Sequence, residues 1–490
     1  MGTLKGSPIP PATGSAGQSP SAPHAISSGK TDALELLTRE LGRERVLQAP
    51  EALEVYARDE SGLGVFPPDA AVLCETRAEI ELVLRLAAEH SIPVTPRGAG
   101  SGMTGGALPV RGGIVLSTER MRRIIDINVH DRVAVVEPGV INGDLQAAVE
   151  AEGLFYAPDP ASLGFCSMGG NVAENAGGPR AFKYGVTRDW TLGMTATLMG
   201  GETLRLGRRT PKGVTGYDLT ALFVGSEGTF GVTSELTFRL VGRPEGVGTF
   251  IAVMPDAVSA GRAVSEIIRK GHRPRALELL DRASIEHVRP KASYAFPADA
   301  GAIVLVELDG DPDGIESALL RCGAVCEAEG ARDVIVARDD ADRERLWKTR
   351  RVVSVALREA YKFKQSEDTV VPPSSIPEML RRVDAIGARH KLETATFGHA
   401  GDGNLHINML SQETVHDAAF AARVDAALAD LFKATLDLGG TLSGEHGIGI
   451  AKARYMAWEQ SAEVIDWQKR LKRMWDPANL LNPGKIFVDD

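Results

Sequence analysis

A chain of 490 residues is longer than one hydrophobic core usually organises, so at least two domains sharing an interface are expected. An apolar fraction of 43% and a charged fraction of 24% are those of soluble globular proteins, and no apolar run is long enough to cross a bilayer. The net charge of −10 disfavours a nucleic-acid groove or a polybasic membrane surface, so an anionic ligand must be held by a local basic pocket. In chain order, residues 1–29 are rich in Pro, Gly, Ser and Ala without an apolar segment, which reads as a disordered tail and not as a secretory signal; folding is expected from about Thr31. A strand-like stretch at Ala70–Cys74 leads into Thr76-Arg77-Ala78-Glu79, a capping-box spacing. Ile80, Val83, Leu84 and Ala87 follow at helical intervals, predicting a helix over 77–90. Further strand-like runs lie at 113–117 and 132–136, and the segment 161–178, dense in Gly, Ser and Asn, predicts a long backbone-lined loop with no regular element. From about residue 245 strand–helix–strand units recur, one over 249–280 and another over 302–338. Two such units predict an antiparallel sheet with helices on one face, the ferredoxin-like arrangement. The four cysteines, Cys74, Cys166, Cys322 and Cys326, lack CxxC spacing, so they match neither a cysteine zinc site nor a cysteine-ligated iron–sulfur cluster and point to a reducing, cytoplasmic setting.

The stretch Pro96-Arg97-Gly98-Ala99-Gly100-Ser101-Gly102-Met-Thr-Gly105-Gly106 contains a literal G-x-G-x-x-G, but Pro109 and Gly112-Gly113 follow where a dinucleotide fingerprint needs a helix. Five glycines in nine positions suit a nest instead, in which successive backbone N–H groups wrap a diphosphate. A second loop, Gly164 to Gly178, and a third, Gly225-Ser-Glu227-Gly228-Thr-Phe-Gly231-Val232, have the same small-residue character. Three such loops imply a large, extended cofactor.

A different chemistry gathers near the C-terminus. Strand-like runs flank Gly401-Asp402-Gly403-Asn404, and a four-residue hairpin loop there pairs His399 with His406. That register puts two imidazoles on one face with Cβ atoms roughly 5 Å apart. Zinc, manganese or iron would take both with one carboxylate, keeping a position open for substrate, and Glu445 in another glycine-framed loop is the carboxylate candidate. His446 beside it and Asn404 in the hairpin loop join the catalytic candidates. A substrate carboxylate is best held by a guanidinium, which the segment Trp347-Lys-Thr-Arg350-Arg351 supplies, with Ser354 one helical turn on.

The phrases PRGAGSGMTGGA, APDPASLGFCSMGGNVAENAGG, KYGVT, FVGSEGTFGV and LNPGK resemble the FAD-linked oxidase branch of the vanillyl-alcohol-oxidase-type FAD-binding fold, in order and over residues 45–488. That branch includes the glycolate oxidase flavoprotein subunit, D-lactate dehydrogenases and D-2-hydroxyglutarate dehydrogenase. The resemblance implies an α+β protein with a two-subdomain FAD-binding domain over 30–244, a ferredoxin-like substrate domain over 245–455 and a segment over 456–490 returning to the FAD domain. By position, Pro96 to Gly106 would hold the FAD diphosphate. Pro158, Ser162, Gly164, Ser167, Gly169, Gly170, Asn171, Asn175, Gly177 and Gly178 would line the ribityl chain and ring, and Glu227, Gly228 and Val232 the adenosine side, with Asn482 returning to the flavin. Some relatives tether FAD through a histidine or cysteine in the first loop; Arg97–Gly106 contains neither, so the FAD should be non-covalent. His399, His406 and Glu445 match the family's metal ligands, His446 its catalytic histidine, Arg350 its substrate arginine and Lys364 a further substrate-side lysine, although the Gln-Ser-Glu-Asp after Lys364 departs from the 2-hydroxyglutarate pattern.

The expected activity is oxidation of a small D-2-hydroxy acid, glycolate or D-lactate, to the 2-oxo acid by hydride transfer to the flavin. Electrons would leave to a separate acceptor such as a quinone, an electron-transfer flavoprotein or an iron–sulfur subunit, in the cytoplasm or peripheral to the membrane, and a homodimer is compatible. The alternatives are a D-2-hydroxyglutarate dehydrogenase, a carbohydrate or alcohol oxidase on the same fold, or a non-catalytic flavin-binding subunit, which would not need the C-terminal cluster.

Overall fold

Thr76 caps the first predicted helix in the computed structural model, which describes residues 28–292, 296–415 and 417–488. Its hydroxyl accepts from Glu79 N at 3.3 Å, and the Glu79 carboxylate reaches back to Glu75 N at 2.7 Å, one residue beyond the usual capping-box partner. The helix spans Arg77–Glu89 and buries Ile80, Val83, Leu84 and Ala87. The expected tail falls outside the described residues up to position 27, and the first helix, Ser28–Leu41, begins slightly ahead of the expected start.

Three sheets carry the architecture. In the first, Ala70–Leu73, Ile114–Ser117 and Val94–Arg97 run parallel, with Val46–Leu47 antiparallel at one edge. Ala70–Leu73 and Ile114–Ser117 are buried throughout, as parallel strands covered on both faces should be. The second is an antiparallel five-stranded sheet ordered Ile124–Asn128, Val133–Val136, Val232–Arg239, Thr191–Thr197 and Thr203–Gly207. Residues near the C-terminus come back to the first sheet: Leu481 bridges Val94 in parallel, and Asn482 N donates to Val94 O at 2.6 Å.

The third sheet is antiparallel with seven strands, ordered Asp333–Val336, Gly246–Met254, Ala302–Gly310, Ala276–Asp281, Glu393–Gly398, Asn404–Ser411 and Phe363–Val370. Its first four strands have the ferredoxin-like order, fourth-first-third-second, and both expected strand–helix–strand units are present, with helices Ala257–Arg269 and Pro312–Ala328. Helices cover both faces, however, not one. Phe250, Ala252 and Met254 belong to one core with the long helices of that face, Ala257–Arg269, Pro312–Ala328, Ile376–His390 and Ala418–Asp437. Ile251, Val253, Ile303 and Leu305 pack on the opposite side against Arg282–Val288, Asp340–Arg351 and Val353–Ala360. Runs apolar at every position, such as 250–254, must be covered twice, and that signal outweighs the alternation expected for a half-exposed sheet.

Candidate active site

A cavity of about 670 Å³ opens between the first two sheets and the second covered face of the third. The size is that of a ligand pocket. Pro96 to Gly102 with Gly106 form one wall, and no helix follows this loop, which bears out the rejection of a dinucleotide fingerprint. Gly100 has φ +70°, open to glycine at little cost, and a Cβ there would lie 2.1 Å from Arg97 Nη2. Arg97 itself is turned to backbone: Nη1 donates to Arg58 O at 2.8 Å and Nη2 to Val55 O at 3.1 Å.

The opposite wall comes from Ser162, Gly169, Gly170 and Asn171, and a third side from Glu227, Gly228 and Val232. The segment 161–178 is not wholly irregular, because Ser167 accepts from Gly170 N at 3.3 Å and caps a short helix, Met168–Glu174, which Asn175 ends in the left-handed conformation. The serine and asparagine that read as loop residues act here as helix caps. Several expected cofactor residues stand behind the lining instead of in it. Pro158 O accepts from Asn142 and Gln146, Gly178 packs under Asp159 O, and Asn482 Nδ2 donates to Gly106 O at 3.0 Å and Glu227 O at 2.7 Å. Gly105 packs on Ile450, Gly177 lies against the Glu445 carboxylate, and Asn175 Oδ1 accepts from Arg188 N. Gly164 falls between two lining residues, Leu163 and Phe165. The small residues of these walls leave backbone facing the cavity, which fits FAD, and a Cβ on Gly98 or Gly169 would collide with Ser167 or Pro138.

At the far end of the same cavity are Arg350, His399, His406, Glu445 and His446. The hairpin carrying the two histidines pairs Phe397 with His406, not His399 with His406, because Asn404 belongs to the strand and pairs with Val370. The shift is by two residues, and since side chains alternate with period two the same face is kept. The imidazole centroids of His399 and His406 are 5.2 Å apart, and the His446 ring stacks on His406 at 5.5 Å. Glu445 Oε1 lies 3.6 Å from His399 Nε2 and 3.5 Å from His406 Nε2. A tetrahedral cation with bonds of about 2.0–2.2 Å separates its ligands by about 3.3–3.6 Å, so both Glu445–histidine distances fit a zinc-sized ion. The ligand atoms of the three residues all lie within 4.8 Å of one another.

Burial sets the charges here. It opposes a proton on His399, but the Glu278 and Glu445 carboxylates override it and hold the imidazole pKa well above its ordinary value. His406 goes the other way, driven well down by burial and by the neighbouring His399, His446 and Arg350 charges. Burial would raise Glu445, but its contact with His399 and the surrounding histidines bring it down to about 2.

Two carboxylates that sequence reasoning missed hold this arrangement. Asp368, fully buried on Phe363–Val370, accepts at Oδ2 from Gly444 N, Glu445 N and His446 N at 2.9, 2.7 and 3.0 Å. Oδ1 takes Lys452 Nζ at 2.5 Å and lies 3.4 Å from His446 Nδ1. The backbone of 444–446 is thus a nest closed on a protein carboxylate. Glu278, also fully buried, contacts His399 Nδ1 at 2.7 Å and accepts from Arg350 Nε at 2.5 Å. Arg350 stacks over Phe397 at 4.8 Å, whereas Arg351 is exposed and paired with Glu344. Ser354 lines the cavity and accepts from Lys364 Nζ at 3.3 Å. Asn404 is outside the lining, its amide donating to Thr369 O at 3.3 Å.

The loop-walled cavity, its antiparallel cap and the order of the loops define a vanillyl-alcohol-oxidase-type flavoprotein fold. Residues 68–207 match the FAD binding domain family model, and residues 243–486 match that for FAD linked oxidases, C-terminal domain. The chain belongs to the FAD-linked oxidase family. It is 38% identical to the glycolate oxidase subunit GlcD of Bacillus subtilis, covering 94% of this chain and 97% of that one. Identity is 33% to the D-lactate dehydrogenase of Anaerostipes hadrus, over 91% and 96%. It is 34% to the D-2-hydroxyglutarate dehydrogenase of Xanthomonas citri, over 90% and 94%. Among solved structures, p-cresol methylhydroxylase with substrate bound superposes with a TM-score of 0.79 at 17% identity, over 95% of this chain and 98% of that one.

Proposed function

We propose that the protein oxidises a small D-2-hydroxy acid, glycolate or D-lactate, to its 2-oxo acid. The observation that carries this reading is the convergence of Arg350, His446 and the His399/His406/Glu445 group on the end of one glycine-walled cavity. Non-covalent FAD supplies the hydride acceptor, and a divalent cation on His399, His406 and Glu445 supplies a Lewis acid for the 2-hydroxyl.

Arg350 binds the substrate carboxylate from a helix fixed by Trp347, whose Nε1 donates to Glu307 Oε2 at 2.6 Å. His446 takes the hydroxyl proton as the C2 hydride leaves. Asp368 orients that imidazole without competing for the proton, since its other contacts, chiefly the His446 and Lys452 charges, overcome burial and keep its pKa far below the usual carboxylate range. The electrons then pass to a separate carrier, a quinone, an electron-transfer flavoprotein or an iron–sulfur subunit; no described helix is long and apolar enough to cross a membrane. We place the enzyme in the cytoplasm, at the membrane only through such a carrier.

A second reading, D-2-hydroxyglutarate, is favoured by Lys364 beside Ser354, where a second carboxylate would find a cation. Anaerobic titration with glycolate, D- and L-lactate and D-2-hydroxyglutarate, with and without chelator, separates the two by which acid bleaches the flavin at lowest concentration. A flavin that none of them bleaches rejects both.

A further inference from the structure

Glu278 stands among Leu277, Leu279 and Leu280 on the central strand of the cap sheet, where a carboxylate reached by no solvent is costly unless its oxygens are satisfied. Both oxygens are satisfied from the site, and from two different elements. Oε1 lies 2.7 Å from His399 Nδ1, just past the strand Glu393–Gly398, and Oε2 accepts from Arg350 Nε at 2.5 Å on the helix Asp340–Arg351. His399 belongs to the proposed cation site and Arg350 to the proposed carboxylate site. We propose that Glu278 is a positioning residue that couples the two, so that cation and substrate carboxylate each tighten the other's binding; this rests on the function proposed above.

The coupling follows from sharing one carboxylate. By accepting from Nδ1, Glu278 fixes which nitrogen keeps its proton, so a cation would displace the other proton and take the Nε2 lone pair facing Glu445 and His406. A cation drawing on that lone pair makes Nδ1–H a stronger donor. Charge on Glu278 then shifts toward Oε1 and away from Arg350 Nε, and the guanidinium turns more of its charge to an incoming carboxylate. By linkage the carboxylate must tighten the cation to the same degree. A glutamine at 278 has one acceptor oxygen and cannot serve both donors.

The test uses the FAD-loaded full chain, wild type and Glu278→Gln. Zinc affinity is read by competition with a chromophoric chelator, and propionate binding by the shift it causes in the flavin spectrum. Propionate has the carboxylate without the 2-hydroxyl, so it lacks the group through which the substrate is proposed to reach the cation, and any zinc dependence that survives in Glu278→Gln reports direct zinc–carboxylate contact. In the wild type, saturating zinc should tighten propionate by about fivefold or more, and in Glu278→Gln by no more than about twofold. Zinc itself should bind the variant about 10- to 100-fold more weakly. A purely structural role would lower thermal stability and leave the zinc–propionate coupling at its wild-type value, which overturns the proposal. Should Glu278→Gln lose FAD, Glu278→Asp retains the charge on a shorter arm that reaches one partner at most; the same loss of coupling is expected, and full coupling overturns the idea. A wild type bleached by glycolate whose propionate binding ignores zinc refutes the coupling alone. One that no 2-hydroxy acid bleaches refutes the function and this inference with it.

Discussion

His446 has the largest expected effect of any single side chain. Replacing it with alanine should slow anaerobic flavin reduction by about 10²- to 10⁴-fold, the usual worth of a general base, while the yellow FAD complex stays intact. Stopped-flow bleaching measures this, and wild-type rates in the variant would remove His446 from the mechanism. Lys364 carries a pH prediction. Burial first, and then the Arg358 charge, lower its pKa to about 8, so it is a cation below that pH and neutral above it. If D-2-hydroxyglutarate uses it, the KM for that acid should climb as the pH rises through about 8, while the KM for glycolate stays level. The histidines and Glu445 were legible because glycines frame them. Glu278 was not, since nothing around it in Ala276–Asp281 marks a site, and Asp368 was passed over because the polar strand Phe363–Val370 does not single out one carboxylate. The available signal was physical: a carboxylate in an otherwise apolar, doubly covered strand, as in Ala-Leu-Glu278-Leu-Leu, needs cationic or N–H partners to be there at all.

Among the secondary elements, the histidine hairpin depends on Gly403. Its φ is +82°, and a Cβ would stand 1.9 Å from Val371 O, the carbonyl of the adjoining segment. Gly403→Ala should cost about 1–3 kcal/mol from the backbone conformation alone, with the clash added. Urea unfolding would show the loss, and zinc binding should weaken in parallel because His399 and His406 flank this turn. The same hairpin shows why a wrong register still located the site. An error of two residues moves a side chain along its strand but leaves it on the same face, so the convergence of the histidines survived. The short helix at 168–174 was hidden for a different reason: about two turns that contain two glycines, an asparagine and a valine have little helix propensity, and only the Ser167 cap and its packing make it form.

Across the whole molecule, the cofactor loops and the histidine loop are bolted together. The Glu227 carboxylate accepts from Ile448 N and Gly449 N, both at 2.7 Å, and Thr104 Oγ donates to His446 O at 3.0 Å. In Glu227→Gln one of the two N–H groups loses its acceptor, at about 1–3 kcal/mol for a buried donor. Thermal stability should fall and FAD should dissociate faster, which flavin fluorescence on dilution would detect; unchanged retention would mean that the cofactor does not sense this junction. The glycine loops announced a large ligand, but their clamp was invisible, because its partners lie more than two hundred residues apart in sequence and meet only in the folded chain.

The return of Leu481 and Asn482 to Val94 has a consequence for biosynthesis. The loop at 96–106 leaves the ribosome hundreds of residues before the asparagine that ties Gly106 to Glu227 and before Ile450 and Ala451, whose N–H groups donate to Thr104 O. A nascent chain therefore exposes a half-built nucleotide cradle that has no lid and no latch. Flavin capture becomes one of the last events in making this enzyme, and chains stalled short of the C-terminal turn should emerge colourless.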